Sequence, residues 1–191
     1  MQSKSILITN DDGIYAPGIK ALKDALQEIA DVKVVAPLAE KSAVGHAITL
    51  SDPLRVQEVE RDGSFFGYAV NGTPADCVKL GIRCLCEKQP DLVVSGINLG
   101  PNAATNIIYS GTVSAAAEAT IMGVPAIAVS INSFHKKEFS FAGKIASLLA
   151  GKVLNEGLPA GTLLNINVPV VPENEIKGIR VTSQGKGRYE E

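Results

Sequence analysis

The chain lacks an excess of charge of either sign. Its 18 Lys and Arg against 20 Asp and Glu leave a net charge of -2, and the sequence pI is about 5.8. That balance excludes a surface built to hold long nucleic acid, although a small anionic ligand can still be met by local groups. It also lacks a long apolar run: no stretch approaches the length a membrane-spanning helix needs, so no membrane partner is expected. The opening apolar segment, Ile6 to Ile8, is too short for a secretion signal and runs straight into acidic residues. Cysteine pairs are missing as well. Of three cysteines, Cys77, Cys84 and Cys86, no two stand in a Cys-x-x-Cys spacing, which argues against a zinc knuckle or redox pair. All three are expected to be small buried apolar side chains, and the cytoplasm is the simplest compartment.

What is present is ordinary globular material, 46% hydrophobic and 20% charged over 191 residues, enough for one domain with a full core. The apolar run Ser5 to Thr9 reads as a buried strand that stops at a polar loop. Pro17 and Gly18 open an amphipathic helix with Ile19, Leu22, Leu26 and Ile29 on one face. A strand over Val32 to Ala36 completes a parallel strand–helix–strand unit. Leu54 to Val59 and Phe65 to Val70 flank Asp62-Gly63, a hairpin signal. Thr73-Pro74 reads as an N-cap followed by the first helical position of a helix running to about Glu87. A strand at Leu92 to Ser95, a long polar loop, a small-residue helix over Thr112 to Met122, a strand over Val124 to Ile131 and a helix over Phe139 to Leu154 follow. Further strands are expected at Leu163 to Val168 and Ile179 to Thr182. Strands alternating with helices predict a layered α/β domain with a mostly parallel sheet, to which the hairpin adds an antiparallel portion. No domain boundary is visible, so residues 1–191 read as one domain.

Three polar segments follow predicted strand ends: Asn10-Asp11-Asp12-Gly13, Glu40 to His46, and Gly96-Ile97-Asn98 through Ser110-Gly111-Thr112. In open α/β sheets such loops form the binding crevice. Adjacent carboxylates at Asp11 and Asp12 repel unless a cation lies between them, and oxygen donors suit Mg²⁺, Mn²⁺ or Ca²⁺. The alternative is a solvated turn in which Asp11 caps the next helix. Ser42 and the amides around Gly45 can serve an oxyanion or cation, or Ser42 can be a plain turn residue. His46 is a candidate for proton transfer or for hydrogen bonding in the loop. Ser110-Gly111-Thr112 stands at a helix start, where free N–H groups and hydroxyls suit a phosphate, or where Ser110 or Thr112 simply caps. Asn98 and Asn102 add neutral donors. A Walker-type phosphate loop, a dinucleotide fingerprint and a Gly-x-Ser-x-Gly elbow are all absent. What remains is a metal–carboxylate site beside a phosphate site, the pairing used in phosphoester hydrolysis.

The segments ILITNDDGIYAPGIKAL, VVAPLAEKSAVGHAITL, VNGTPADCVKLG, PDLVVSGINLGPN, IYSGTVSAAAEA, LLNINVP and IKGIRVT, in that order, resemble the SurE family of survival-protein 5′/3′-nucleotidases. The resemblance implies a three-layer α/β/α, Rossmann-like domain with a mixed sheet. It implies a divalent-metal-dependent phosphomonoesterase acting on nucleoside 5′- and 3′-monophosphates, with short polyphosphate as a further substrate. One Mg²⁺ or Mn²⁺ per subunit is implied on Asp11, Asp12, Ser42 and Asn98, with Asp11 and Asp12 also the catalytic pair. Substrate contacts are expected from Asn10, Gly45, His46, Asn102, Ser110, Gly111 and Thr112. A homodimer or homotetramer is implied, but the C-terminal hairpin segment that relatives use in oligomer contacts is not found before Glu191. Competing readings are an aspartate-nucleophile phosphatase, whose Asp-x-Asp spacing is not met here, a Mg²⁺-binding receiver-like module, and a catalytically silent assembly subunit.

Overall fold

The computed structural model describes residues 3–186; the chain's last residues, Gly187 to Glu191, to which the single domain was extended, lie outside them. Strand β1 (Ser5–Thr9) is buried along almost its whole length, and helix α1 (Pro17–Leu26) follows with Pro17 at its first position. Ile19, Leu22 and Leu26 are fully buried on one face of α1, each worth about 2 kcal/mol of apolar burial. The helix stops at Leu26, where the Gln27 N–H closes on the Lys23 carbonyl. Ile29 therefore lies beyond it and is 40% exposed, so it does not share the apolar face expected of it.

Strand β2 (Asp31–Pro37) leads through an irregular loop to β3 (Val56–Arg61) and β4 (Ser64–Val70). These form the expected hairpin, with Asp62 at φ 54° and Gly63 at φ 76°, the positive pair that a tight two-residue turn demands. Helix α2 (Pro74–Leu80) starts in a full capping box: Thr73 accepts from the Asp76 N–H, and Asp76 accepts from the Thr73 N–H. The following turn, Gly81–Leu85, is a π-helical segment. Strand β5 (Leu92–Leu99) runs four residues further than expected. Then come the short α3 (Asn106–Tyr109), α4 (Gly111–Ile121), β6 (Ala126–Ile131), α5 (Ser140–Glu156) and β7 (Leu163–Val168).

The expected strand at Ile179 to Thr182 does not form, and Ile179 and Val181 are exposed. A strand needs a partner ladder as well as β-branched residues, and no pairing reaches this segment among the described residues. Of the cysteines only Cys77 is buried; Cys84 is exposed and Cys86 intermediate, because both lie on and just past the π-helical turn.

The sheet has seven strands in the order β3-β4-β2-β1-β5-β6-β7. Every neighbouring pair is parallel except the β3–β4 hairpin. One apolar cluster joins the sheet to α1 and α5, and a second joins its other face to α2 and α4. This is the three-layer α/β/α arrangement with a mixed sheet. The chain leaves β1 toward β2 on one side, and β5 opens the other half of the sheet. The carboxyl ends of β1 and β5 thus mark the topological switch point, the place where such sheets open a crevice.

Candidate metal and phosphate site

Asp11 and Asp12 stand directly past the end of β1, at that switch point. Alternation along the chain sends them apart. Asp11 goes to the α4 side, where its Oδ1 accepts from the Thr112 hydroxyl at 2.6 Å and its Oδ2 from the Thr112 N–H at 3.0 Å. Asp12 meets β5, its Oδ2 accepting from the Leu99 N–H at 3.3 Å. Asn10 is fully buried between core and site. Its amide nitrogen donates to the Gly13 carbonyl at 2.9 Å and closes the turn, while its Oδ1 is buried without a partner.

Glycines let the elements close in. A Cβ on Gly111 would stand 2.8 Å from the Asp11 Cβ and 3.0 Å from its Oδ2, so α4 can approach the carboxylate only with glycine at its first position. On the opposite face a Cβ on Gly18 would stand 2.0 Å from the Ile97 carbonyl oxygen. Gly96 has φ 139° and would place a Cβ 2.3 Å from the Val129 carbonyl oxygen. Here the β5–β6 register shifts between Ser95 and Asn98, and past it Asn98 Nδ2 donates to the Gly100 carbonyl at 2.8 Å. The amide is thereby oriented through its nitrogen.

Burial raises the Asp11 carboxyl above the ordinary carboxylate range, against the hydrogen bonds from Thr112 that pull it down. Asp12 is pushed up to about 6, first by burial and then by the charge on Asp11. Glu40 raises both further; Lys137 acts the other way on Asp12. Among the described residues no basic side chain forms an ion pair with either aspartate. A buried carboxylate, a half-buried one beside it and an orphaned amide oxygen next to them are costly until a cation joins them. No cluster of three or more His, Cys, Asp or Glu occurs among the described residues. The donor set here is instead two carboxylates with neutral oxygens, which fits a hard divalent ion and not zinc.

The second loop meets the site through its main chain: the Lys41 N–H donates to the Asp11 carbonyl at 2.7 Å. Ser42, the next residue, is exposed, and its hydroxyl is turned to the Glu40 carboxylate. Two candidates in this loop have partners within the protein. The Gly45 N–H donates to the Tyr109 carbonyl at 3.0 Å, so it fixes the loop and does not face an oxyanion. His46 Nε2 lies 2.7 Å from Glu118 Oε2, so that ring nitrogen is spent on α4.

The third loop changes in the same sense. Both Thr112 donors are taken by Asp11, so the start of α4 receives a protein carboxylate through them and not a phosphate. Ser110 caps the helix by accepting from the Val113 N–H at 3.1 Å, which leaves its own hydrogen to donate. The Gly111 N–H, at the first helical position, has no intrahelical acceptor. Asn102 is buried and serves as an anchor: its Nδ2 donates to Ser130 at 2.9 Å, and its main chain is clasped by Asn165 and Asn167. Those two asparagines were missed from sequence, although Asn165-x-Asn167 puts two amides on one face of an otherwise apolar strand. Glu118 was missed too.

The comparisons agree with one another. The family model described as "Survival protein SurE" matches residues 6–191. A protein of Syntrophobacter fumaroxidans named 5′-nucleotidase SurE is 57% identical, over 94% of this chain and 72% of its own length. One of the same name from Chlorobium limicola is 48% identical, over 100% of this chain and 74% of its own length. The crystal structure of the SurE protein from Aquifex aeolicus superposes with a TM-score of 0.90 at 48% identity, covering 97% of this chain and 74% of that one.

Proposed function

The chain belongs to the SurE family, and from that premise we propose that it hydrolyses nucleoside 5′- and 3′-monophosphates to nucleoside and phosphate with a bound divalent cation. The observation that carries the reading is a pair of mutually repelling carboxylates at the sheet's switch point, Asp11 buried and Asp12 half-buried, with no basic side chain in an ion pair with either among the described residues.

Asp11, Asp12, Ser42 and Asn98 would hold the ion. When bound, it supplies positive charge against the phosphoryl oxygens and acidifies water. The chain's own groups do the rest. The Ser110 hydroxyl and the Gly111 N–H donate to phosphoryl oxygens at the positive end of α4. Both oxygens of Asp11 already accept from Thr112, which fixes the carboxylate in place. Asp12 has only one oxygen engaged, by Leu99. It is therefore the carboxylate free to take a proton from the attacking water.

The proposal extends to one Mg²⁺ or Mn²⁺ per subunit, a homodimer or homotetramer, short polyphosphate as a second substrate, and a cytoplasmic setting. No helix of the described residues is long and apolar enough to cross a membrane. The receiver-like reading is disfavoured because the second half of β5, Ser95-Gly96-Ile97-Asn98-Leu99, supplies no acceptor aspartate. An aspartyl-phosphate on Asp11 is disfavoured by the double engagement of that carboxylate. The deciding experiment is phosphate release from nucleoside monophosphates by the purified chain with Mn²⁺, with Mg²⁺ and with EDTA. Release that EDTA abolishes and Mn²⁺ restores is expected; release untouched by EDTA defeats the reading.

A further inference from the structure

Glu118 is a buried carboxylate that the reaction above does not use. It stands on α4 with its side chain 8% exposed, surrounded by a helix of small residues. Two groups from other elements converge on it. His46 Nε2 comes within 2.7 Å of Oε2, from the loop between β2 and β3, and Lys79 Nζ within 3.2 Å of Oε1, from α2. A carboxylate removed from water in this way is tolerated only where its partners are held as firmly as it holds them.

The loop it reaches is the one that carries Ser42. Residues 38–55 form no helix or strand, so their course is set by tethers. Main-chain bonds fix the first half: Leu38 to Val70, Lys41 to Asp11 and Gly45 to Tyr109. Buried side chains fix the second half. Thr73 donates to the Ala47 carbonyl at 2.7 Å, and Asp76 accepts from the Thr49 hydroxyl at 2.6 Å. His46 on Glu118 is the tether nearest to Ser42 that uses a side chain on α4. That helix has a second attachment. Its first turn holds Asp11 through Thr112, and Glu118 lies six residues further on, about 9 Å along the axis. One rigid rod thus touches both walls of the crevice, Asp11 at its start and the Ser42 loop at its middle.

We propose that Glu118 is a positioning residue for the cation site: through His46 it sets where the Ser42 loop stands relative to Asp11. The inference rests on the reading of Ser42 as a cation ligand. Glu118 touches neither cation nor substrate, so its removal acts on how well the donors are gathered. Partners that hydrogen-bond a metal ligand directly are worth about 10–100-fold in affinity; Glu118 acts one step further out, through the loop, so the lower end of about ten-fold is the size expected here.

The test is Mn²⁺ binding to the full chain, followed by the electron paramagnetic resonance of free Mn²⁺, beside the metal dependence of phosphate release. Glu118→Gln is expected to weaken Mn²⁺ about ten-fold. Its kcat should return toward wild type at saturating Mn²⁺, because the reacting groups are untouched. His46→Ala removes the same tether from a partly exposed loop position. It should give the same shift, and the double variant should weaken binding no further. A purely structural Glu118 would lower the melting temperature while folded protein bound Mn²⁺ as before, and that result overturns the proposal. Should Glu118→Gln fail to fold, His46→Ala decides: unchanged Mn²⁺ affinity in that variant overturns it equally. Ser42→Ala separates the two layers. No effect of Ser42→Ala on Mn²⁺ defeats the ligand reading itself, whereas a clear effect there with none in Glu118→Gln and His46→Ala defeats only the positioning role.

Discussion

The two walls of the crevice are built by opposite means. The β1 wall is made of buried groups fixed by other buried groups: Asp11 on Thr112, Gly111 against Asp11, Asn10 on Gly13. The β2–β3 loop wall has no secondary structure and presents Ser42 exposed, with its hydroxyl on Glu40. The first wall is arranged before any ligand arrives. The second is arranged only as far as its tethers reach. With the proposed ligands, a site made this way would place the Asp11 charge rigidly and gather the neutral donor Ser42 last.

Breaking the rigid wall should have the largest effect. Asp12→Asn removes a charge and a proton acceptor while leaving the shape nearly unchanged, so phosphate release is expected to fall by a factor on the order of 10³ while the far-ultraviolet circular dichroism stays that of the folded chain. Retention of full activity in that variant would remove the carboxylate argument. Gly111→Ala comes next. Its methyl would stand 2.8 Å from the Asp11 Cβ, and the packed helix start has nowhere to yield, so a loss of about 1–3 kcal/mol in stability is expected. Chemical denaturation measures it; an unchanged midpoint would mean that α4 can retreat from Asp11.

The smallest effect concerns pH. With EDTA present, the folded Asp12 carboxyl titrates at about 6, above its ordinary 3.8. Its proton is held more tightly in the folded chain, so this group's contribution to stability is full below about 3.8 and is lost as pH rises through about 6. Allowing for its partial exposure, the loss is about 1–2 kcal/mol. The stability of wild type relative to Asp12→Asn should therefore fall between pH 4 and pH 7, and added Mn²⁺ should reverse the fall. A flat difference across that range would show that burial does not strain the pair.

Local chemistry made much of this legible in the sequence. Asp62-Gly63 specified its turn, and Thr73-Pro74 its helix start, because each device is complete within a few residues. The chain order of strand-end loops was enough to bring Asp11, Asp12, Asn98 and the α4 start to one edge. What depends on distant partners stayed hidden. A glutamate in a helix of small residues reads as a solvent-facing position, and only His46 and Lys79, 72 and 39 residues away, make Glu118 a buried one. Thr112 read as a phosphate donor because nothing in its neighbourhood announces that Asp11, 101 residues earlier, would take both of its donors. Ile179 to Thr182 had the residues of a strand but no neighbour to pair with.

The hairpin at the sheet's border has a consequence outside catalysis. Strand β3 is the margin on that side, and its sequence VQEVER gives Gln57, Glu58 and Glu60 to a surface where only Val59 is buried. Its ladder is further broken by a register shift between Val59 and Glu60. A charged, irregular margin is a poor template for a foreign strand. In a crowded mixture of partly folded chains, this flank discourages the edge-to-edge strand pairing that seeds fibres. A fusion partner or affinity tag should be judged by whether it leaves that flank bare.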